Sequence, residues 1–487
     1  MPIGFTSRKR NNMDSDHINL LNASDLDAIH DGTMEVLAQT GIGFPHNGAL
    51  EVFKQNGYRV EDEIVYFDED KLLTLIDNVP ASFTLQGRDP EKSVVVGDGN
   101  PVLAPGYGAP FLADRDEGVR KPTFADYESL VRLAHMLPNQ DVSGHLLVQP
   151  DDIPPDKAHL HMLSAHLLLS DKPFIGSTEG ELGATHTLEM AAIAFGQEVE
   201  DLIAQPVFTG LINTLSPLHF SHEMVGALMS YARARQPVIV AAATMAGSTG
   251  PVTLPAMLVQ QNAEILAGIA LAQLVTPGTP VVYGSTSTNM DMRTGAMAIG
   301  SPELSLVISA TAQIARHYGI PCRSGGALSD SHSPDARAGF ESGFSLLTAF
   351  NSGIDLILHS AGILSSFLVF SMEKFVLDDE LCGMARRYCQ GFSVNDETLG
   401  LESIANVGHD GNYLKDPMTL ARCRTEFWAP ATFTRDSVQN WIALDKPDAV
   451  VQAFDRAEQL LAEYVPPEID PGIEARIKSY VGEAVAE

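Results

Sequence analysis

The sequence predicts an α/β fold: a (β/α)8 TIM barrel with an N-terminal α+β extension and C-terminal helices. Three observations lead there. From residue 102 onward, short apolar runs alternate with longer amphipathic stretches eight times over, as a barrel of parallel strands and covering helices requires. At 487 residues the chain is too long for one ordinary core but suits a large barrel with added elements. The competing architecture, an open doubly wound sheet, usually carries a glycine-rich fingerprint after its first strand, and GYGAP at Gly106 does not match one.

Taken in order, residues 1–16 read as a loose polar tail. Basic residues occur there but no apolar run follows them, so they do not make a signal peptide. Residues 17–97 read as the α+β extension. A helix is expected over 24–40, where Leu26, Ile29, Met34, Val36 and Leu37 keep helical spacing and Gly41 closes the run. A second is expected over 46–55, followed by short strands at 64–67, 82–86 and 93–96. Residues 98–392 read as the barrel, with strands beginning at Val102, Val142, Phe174, Val207, Val238, Val281, Cys322 and Ile354. The intervening helices are expected over 123–136, 155–169, 182–195, 218–235, 254–274, 302–318 and 335–351, with one or more pieces between 363 and 388. Residues 393–487 hold a Gly/His/Asp-rich loop at 408–416 and terminal helices over 447–464 and 471–485, packing on the barrel.

Composition narrows the function. A formal net charge of −31 argues against binding a phosphate backbone, so nucleic acid is not an expected partner. Apolar runs are broken within about ten residues, short of the roughly 20 that cross a bilayer, so no membrane partner is expected. The four cysteines, Cys322, Cys382, Cys389 and Cys423, show neither CxxC spacing nor the density of a disulfide scaffold, which fits a reducing compartment and a cytoplasmic protein. No GxSxG elbow, Walker loop or HExxH helix occurs. His159, His161 and His166 cluster in sequence, but His159 and His161 fall on different helix faces and lack partners at ligand spacing, so no bound metal is expected.

One stretch stands apart. In residues 280–303, PVVYGSTSTNMDMRTGAMAIGSPE, an apolar run gives way to more than a dozen residues without periodicity before Ser301-Pro302-Glu303 opens a helix with an N-cap and Pro at its first position. Loops of that length in a compact domain are usually functional or disordered, and the mix of glycines, Asn289, Asp291 and Arg293 argues for order. YGS, MDMRTG and GSPE in this stretch resemble segments of the trimethylamine methyltransferase family, whose members move a methyl group from an amine to a separate corrinoid protein. GLINTLSPL at residues 210–218, the run from Ser324 to Glu341, and GHDGNYL at 408–414 resemble further family segments in the family's order.

The resemblance implies a cobalamin supplied by a cognate corrinoid protein and no metal bound by this chain. Asp330-Ser331-His332 matches the start of the DxHxxG corrinoid-binding motif, but Asp335 stands where the motif needs glycine, so the corrinoid is expected on a separate protein. Ser285, Asp291 and Arg293 are expected on a corrinoid-facing loop. Relatives acting on trimethylamine carry an in-frame pyrrolysine, and every residue here is a standard one, so the chain resembles the non-pyrrolysine branch. A quaternary amine, with glycine betaine as first choice and carnitine, proline betaine or γ-butyrobetaine as alternatives, leaves as a neutral tertiary amine. No proton donor is then required. A non-catalytic betaine-binding barrel is the alternative from another class, and a homo-oligomer is the expected assembly.

Barrel enzymes place their chemistry on the loops that follow the strands. Reading past each expected strand gives Tyr107, Gln149, Glu179, Asn213, Met245, Ser285, Gly325 and His359. Tyr107, Gln149, Glu179, Asn213, His332, His359 and Phe367 are the expected substrate contacts. Tyr107 and Phe367 suit a cationic nitrogen, since a cation over an aromatic face gains about 0.5–2 kcal/mol. His332 and His359 suit a carboxylate as hydrogen-bond donors, while core packing is the expected role of Phe370.

Overall fold

The computed structural model describes residues 17–115 and 118–486. The tail expected at residues 1–16 lies outside the described residues. Seven parallel strands form the central sheet: β1 (Val102–Ala104), β2 (Phe174–Gly176), β3 (Phe208–Asn213), β4 (Val238–Ala242), β5 (Val281–Ser285), β6 (Cys322–Ser324) and β7 (Leu356–Leu358). Their order is β1-β7-β6-β5-β4-β3-β2, so the first and last strands in sequence lie side by side and the sheet is curled. One row of paired positions crosses six strands: Val102, Leu356, Arg323, Gly284, Ala241 and Asn213. Val102, Leu356 and Ala241 belong to the apolar cluster inside the curl, with Val142, Ile175, Leu211, Ile239 and Val282. Register partners on neighbouring parallel strands share a face, so Arg323 and Asn213 point inward as well.

The strand expected at Val142 does not form. Gly144 adopts φ +95°, outside the extended region, which interrupts the run. The segment nevertheless bonds to both ends of the sheet. The N–H groups of Asp141 and Val142 donate to Leu103 O at 2.9 and 3.2 Å, that of Ser143 to Pro173 O at 2.9 Å, and Ile175 N–H to Gly144 O at 2.9 Å.

The helices form where the spacing places them, and their caps explain why. Phe124–Met136 opens on a capping box in which Thr123 and Asp126 exchange hydrogen bonds, and Asp335 caps Ala336–Ser352 through Ala338 N. Pro155–Leu169 spans the expected residues. The last expected helical region splits: Ile363–Leu364 and Val369–Ser371 form a hairpin, and Met372–Gln390 is the helix. That hairpin joins Phe111–Asp114 and Gly118–Arg120 in a four-stranded sheet the periodicity does not announce, because each piece is only two to four residues long.

Leu254–Val275 carries apolar residues all round, interrupted by Asn262, Glu264 and Gly268. By length and composition it resembles a membrane span, but 78% of its apolar window is buried inside the protein. The helices Ala23–Gln39, Asn47–Gln55 and Glu69–Ile76 of the N-terminal region pack on it. At the other end of the chain Ala449–Glu463 packs on Met372–Gln390, and Pro471–Ala486 packs on Pro155–Leu169.

Candidate active site at the C-terminal edge of the sheet

Arg323, on β6, is the largest side chain that is fully buried, with 2% of its surface exposed. Its Nη1 donates to Ser285 O at 3.3 Å, while its Nε has no hydrogen-bond partner. Among the described residues no carboxylate pairs with it, and burial alone pulls its guanidinium down to about 9. It is therefore still a cation at neutral pH. Beside it in the paired row, Gly284 presents no side chain, and a Cβ there would lie 2.8 Å from that of Ala241. A buried unpaired cation is costly unless something compensates it.

His359, just past β7, lies close enough to Arg323 for its charge to act on the imidazole. Burial first, and that charge second, hold His359 well below the usual histidine range. The ring is neutral. Its Nδ1 accepts the backbone N–H of Tyr107 at 3.1 Å, which assigns the ring proton to Nε2. The Phe367 ring centroid stands 4.8 Å from that of His359, tilted by 58°. Tyr107 is half-buried against the inner apolar cluster, and its hydroxyl, pushed up to about 12 mainly by burial, bonds to Thr178 beyond β2. His359, Tyr107 and Phe367 thus gather past the ends of β7 and β1, beside Arg323 within β6.

The backbone carrying these rings is strained. His359 has φ +63°, and Ser365, Ser366 and Phe367 have φ +52°, +53° and +73°, a region that costs side-chain-bearing residues roughly 1–3 kcal/mol each. Neighbouring loops hold the turn. Ser365 and Ser366 donate from their backbone to Ser331 O and Ser329 O, and Ser366 Oγ donates to Asp330 Oδ1 at 2.6 Å. Asp330 also accepts the N–H groups of Ile299 and Gly300 at 3.0 and 2.9 Å, so one carboxylate ties together the loops after β5, β6 and β7. Glu264, wholly buried in the long central helix, holds the single loop beyond β3: it accepts from Thr214 Oγ1, Ser216 Oγ and Leu218 N at 2.6, 2.7 and 2.8 Å.

The remaining expected residues are spread around this centre. Asn213 ends β3, half-buried, and its register partner Ala241 lines the inside of the curl. Gln149 donates its backbone N–H to Ala109 O at 3.1 Å. Glu179, exposed past β2, lies 3.0 Å from His159 Nδ1, and His159 Nε2 meets His186 Nδ1 at 2.8 Å. Ser285 is buried, its hydroxyl donating to Gln261 at 2.7 Å, whereas Arg293 is exposed and Asp291 Oδ1 accepts its backbone N–H at 2.8 Å. The long loop is ordered: Thr288–Asn289 pairs with Met245–Ala246, and Met290 bridges to Met297. His332 is exposed and bonds Ser365 Oγ at 2.8 Å, while Phe370 is wholly buried against Phe375. Arg323 itself is missing from the expected set. The signal for it was a lone charge in the run IPCRS, a strand whose neighbours bury it on both faces.

Polar and aromatic groups collected past the C-terminal ends of a curled parallel sheet define an α/β enzyme. The chain belongs to the trimethylamine methyltransferase (MTTB) family, whose sequence profile matches residues 6–487, and it is a methyltransferase. It is similar to a glycine betaine methyltransferase of Desulfitobacterium hafniense strain Y51, 44% identical over 466 residues that cover 96% of this chain and 97% of the relative. A trimethylamine methyltransferase of another strain of that organism is 32% identical, covering 94% of this chain and 92% of the relative. A proline betaine:corrinoid methyltransferase of Eubacterium limosum is also 32% identical, covering 91% and 93%.

Proposed function

We propose that the chain transfers a methyl group from a quaternary amine, glycine betaine in the first instance, to the Co(I) of a separate corrinoid protein, leaving dimethylglycine. The observation that carries this reading is the buried guanidinium of Arg323, which has no carboxylate partner among the described residues and stands beside a neutral histidine. A zwitterion with a carboxylate at one end answers both groups: Arg323 gives the charge-assisted pairing and His359 Nε2–H a second donor. Tyr107 and Phe367, attached to the same histidine by a hydrogen bond and a ring contact, face the ammonium end. The names of the relatives at 44% and 32% identity point to the same substrate class.

Fixing the carboxylate low in the curl aims the N-methyl groups outward past the strand ends. When docked there, the reduced corrin supplies the nucleophile. The N–CH3 bond breaks with its electron pair staying on nitrogen, so the leaving amine is neutral and the chain need hold no proton for it. What the chain contributes is position and exclusion of water. Leu215, Val252 and Met292 are exposed past β3, β4 and β5, and Met292 Sδ lies 3.1 Å from where a Gly247 Cβ would stand, so these loops offer an apolar rim for a protein partner. Two surface depressions, of about 580 Å³ between the N-terminal region and the loop at Leu218 and His219 and about 520 Å³ beside Arg59, have no part in this reading.

The finer architecture and setting belong to the same proposal. We read residues 141–148 as the irregular eighth stave of a closed barrel, supported by their hydrogen bonds to β1 and β2. The cysteine pattern, with neither CxxC spacing nor the density of a disulfide scaffold, supports a cytoplasmic setting. The test is reconstitution: with glycine betaine and a reduced corrinoid protein, dimethylglycine should form as the Co(I) absorbance is lost. Demethylation with neither a corrinoid protein nor free cobalamin present would overturn the proposal.

A further inference from the structure

Two opposite charges face each other across the curled sheet. Along the strand order, β3, β4 and β5 separate β2 from β6 on one side, and residues 141–148, β1 and β7 separate them on the other. Glu179, past the end of β2, therefore stands on the wall opposite Arg323. The two also differ in depth. Arg323 lies within its strand with 2% of its surface exposed, whereas Glu179 follows the last residue of β2 by three positions and keeps 45% of its side chain in solvent. The Glu179 carboxylate has little part in holding the fold. It stands at the start of the helix Gly180–Phe195 yet does not cap it. Nδ1 of the buried His159 is 3.0 Å away, but off the direction of a hydrogen bond. His159 is held instead through Nε2, which meets His186 Nδ1 at 2.8 Å with the two rings stacked. Tyr107 links this wall to the aromatic side of the site, because its hydroxyl bonds Thr178, the residue before Glu179, and feels the Glu179 charge.

We propose that Glu179 is the specificity-determining counter-charge for the substrate's quaternary nitrogen, so that the mouth of the sheet takes zwitterions with the carboxylate down and the ammonium up. The inference rests on the betaine reading and adds a charge at the ammonium end. An aromatic face attracts any cation, but a carboxylate on the wall opposite Arg323 gives the pocket two poles, and a zwitterion satisfies both. The same arrangement favours substrate over product. As the methyl group leaves, the nitrogen loses its positive charge and with it the attraction to Glu179. An interaction that fades on the way to the transition state is ground-state binding: it lowers KM and does not raise kcat.

Calorimetric titration of the parent and Glu179→Gln with glycine betaine and with 3,3-dimethylbutyrate tests this. Glu179 is partly exposed, so losing its charge should weaken betaine binding by about two- to fivefold. The isostere, an anion without an ammonium group, should bind the variant no worse than the parent. Glu179→Asp, which keeps the charge, should recover part of the betaine affinity. In turnover with a reduced corrinoid protein, Glu179→Gln should raise KM for betaine and leave kcat unchanged or higher. Unchanged betaine binding, equal losses for the two ligands, or no recovery in Glu179→Asp would overturn the inference and leave the betaine reading standing. A parent that binds no betaine would overturn both. Should Glu179→Gln fail to fold, a structure of the parent with betaine decides: the nitrogen should lie within the ~8 Å screening length of the Glu179 carboxylate, and a larger separation would overturn the inference.

Discussion

The backbone N–H of Tyr107 donates to Nδ1 of His359 across 252 positions of sequence, joining the first strand's loop to the last strand's loop and fixing which imidazole nitrogen keeps its proton. In the proposed betaine site, the carboxylate end depends on that bond. With Nδ1 occupied as acceptor, Nε2–H remains to donate, and burial, with the Arg323 charge second, keeps the ring neutral.

Arg323→Met should separate binding from folding. Losing the charged partner of a buried carboxylate costs about 2–5 kcal/mol, so calorimetric titration should show betaine binding weakened by at least 30-fold. The fold should not suffer, because an apolar side chain replaces a cation that burial disfavours. A thermal midpoint several degrees below the parent's, with binding intact, would mean that Arg323 is structural.

His359 and His332 should behave differently. His359→Ala removes the ring donor and should cost betaine roughly 1.5–3 kcal/mol, the range for hydrogen bonds to charged groups, while choline, which lacks the carboxylate, should be a poor ligand of the parent and lose nothing more. His332→Ala, at an exposed position, should change either by less than about 0.5 kcal/mol. Equal affinity for choline and betaine would remove the carboxylate from the recognition scheme.

Phe367→Leu tests the ammonium end. The substitution keeps much of the apolar volume and loses the ring's quadrupole, so betaine binding should fall by about 0.5–2 kcal/mol. Binding of 3,3-dimethylbutyrate, in which carbon replaces nitrogen, should fall by clearly less. Equal losses for the two ligands would make Phe367 a packing residue.

Acid should destabilise the fold through its buried histidines. Burial pulls His166 down to about 4, and it pushes His145 and His359 well below the usual value. The unfolded chain takes up these protons first, near pH 6.5, so stability is unaffected above that pH and falls as pH drops towards the folded values. For His166 alone the loss by pH 5.5 is about 1.4 kcal/mol. Urea unfolding of parent and His166→Gln at pH 7.5 and 5.5 should show the variant losing less between the two by that amount. Identical pH dependence in both would assign the effect elsewhere.

Much of the architecture is local and so was readable in advance. Strand-helix alternation placed seven strands and the helices that cover them, Thr123, Ser301 and Asp335 marked helix starts, and the residues past β1, β3, β5 and β7 fell at the strand ends. These signals depend on spacing along the chain, which sequence states directly. Only the tertiary structure decided the rest. Gly144's positive φ turned an apolar run into an irregular segment, and the packing of three N-terminal helices made Leu254–Val275 a core element despite its span-like composition. Arg323 looks in sequence like one charge in a short strand. Its meaning comes from what surrounds it: Gly284 and Leu356 as register partners, no carboxylate in reach among the described residues, and His359 nearby. Burial and electrostatic environment are set by neighbours distant in sequence, and they exist only once the sheet has curled.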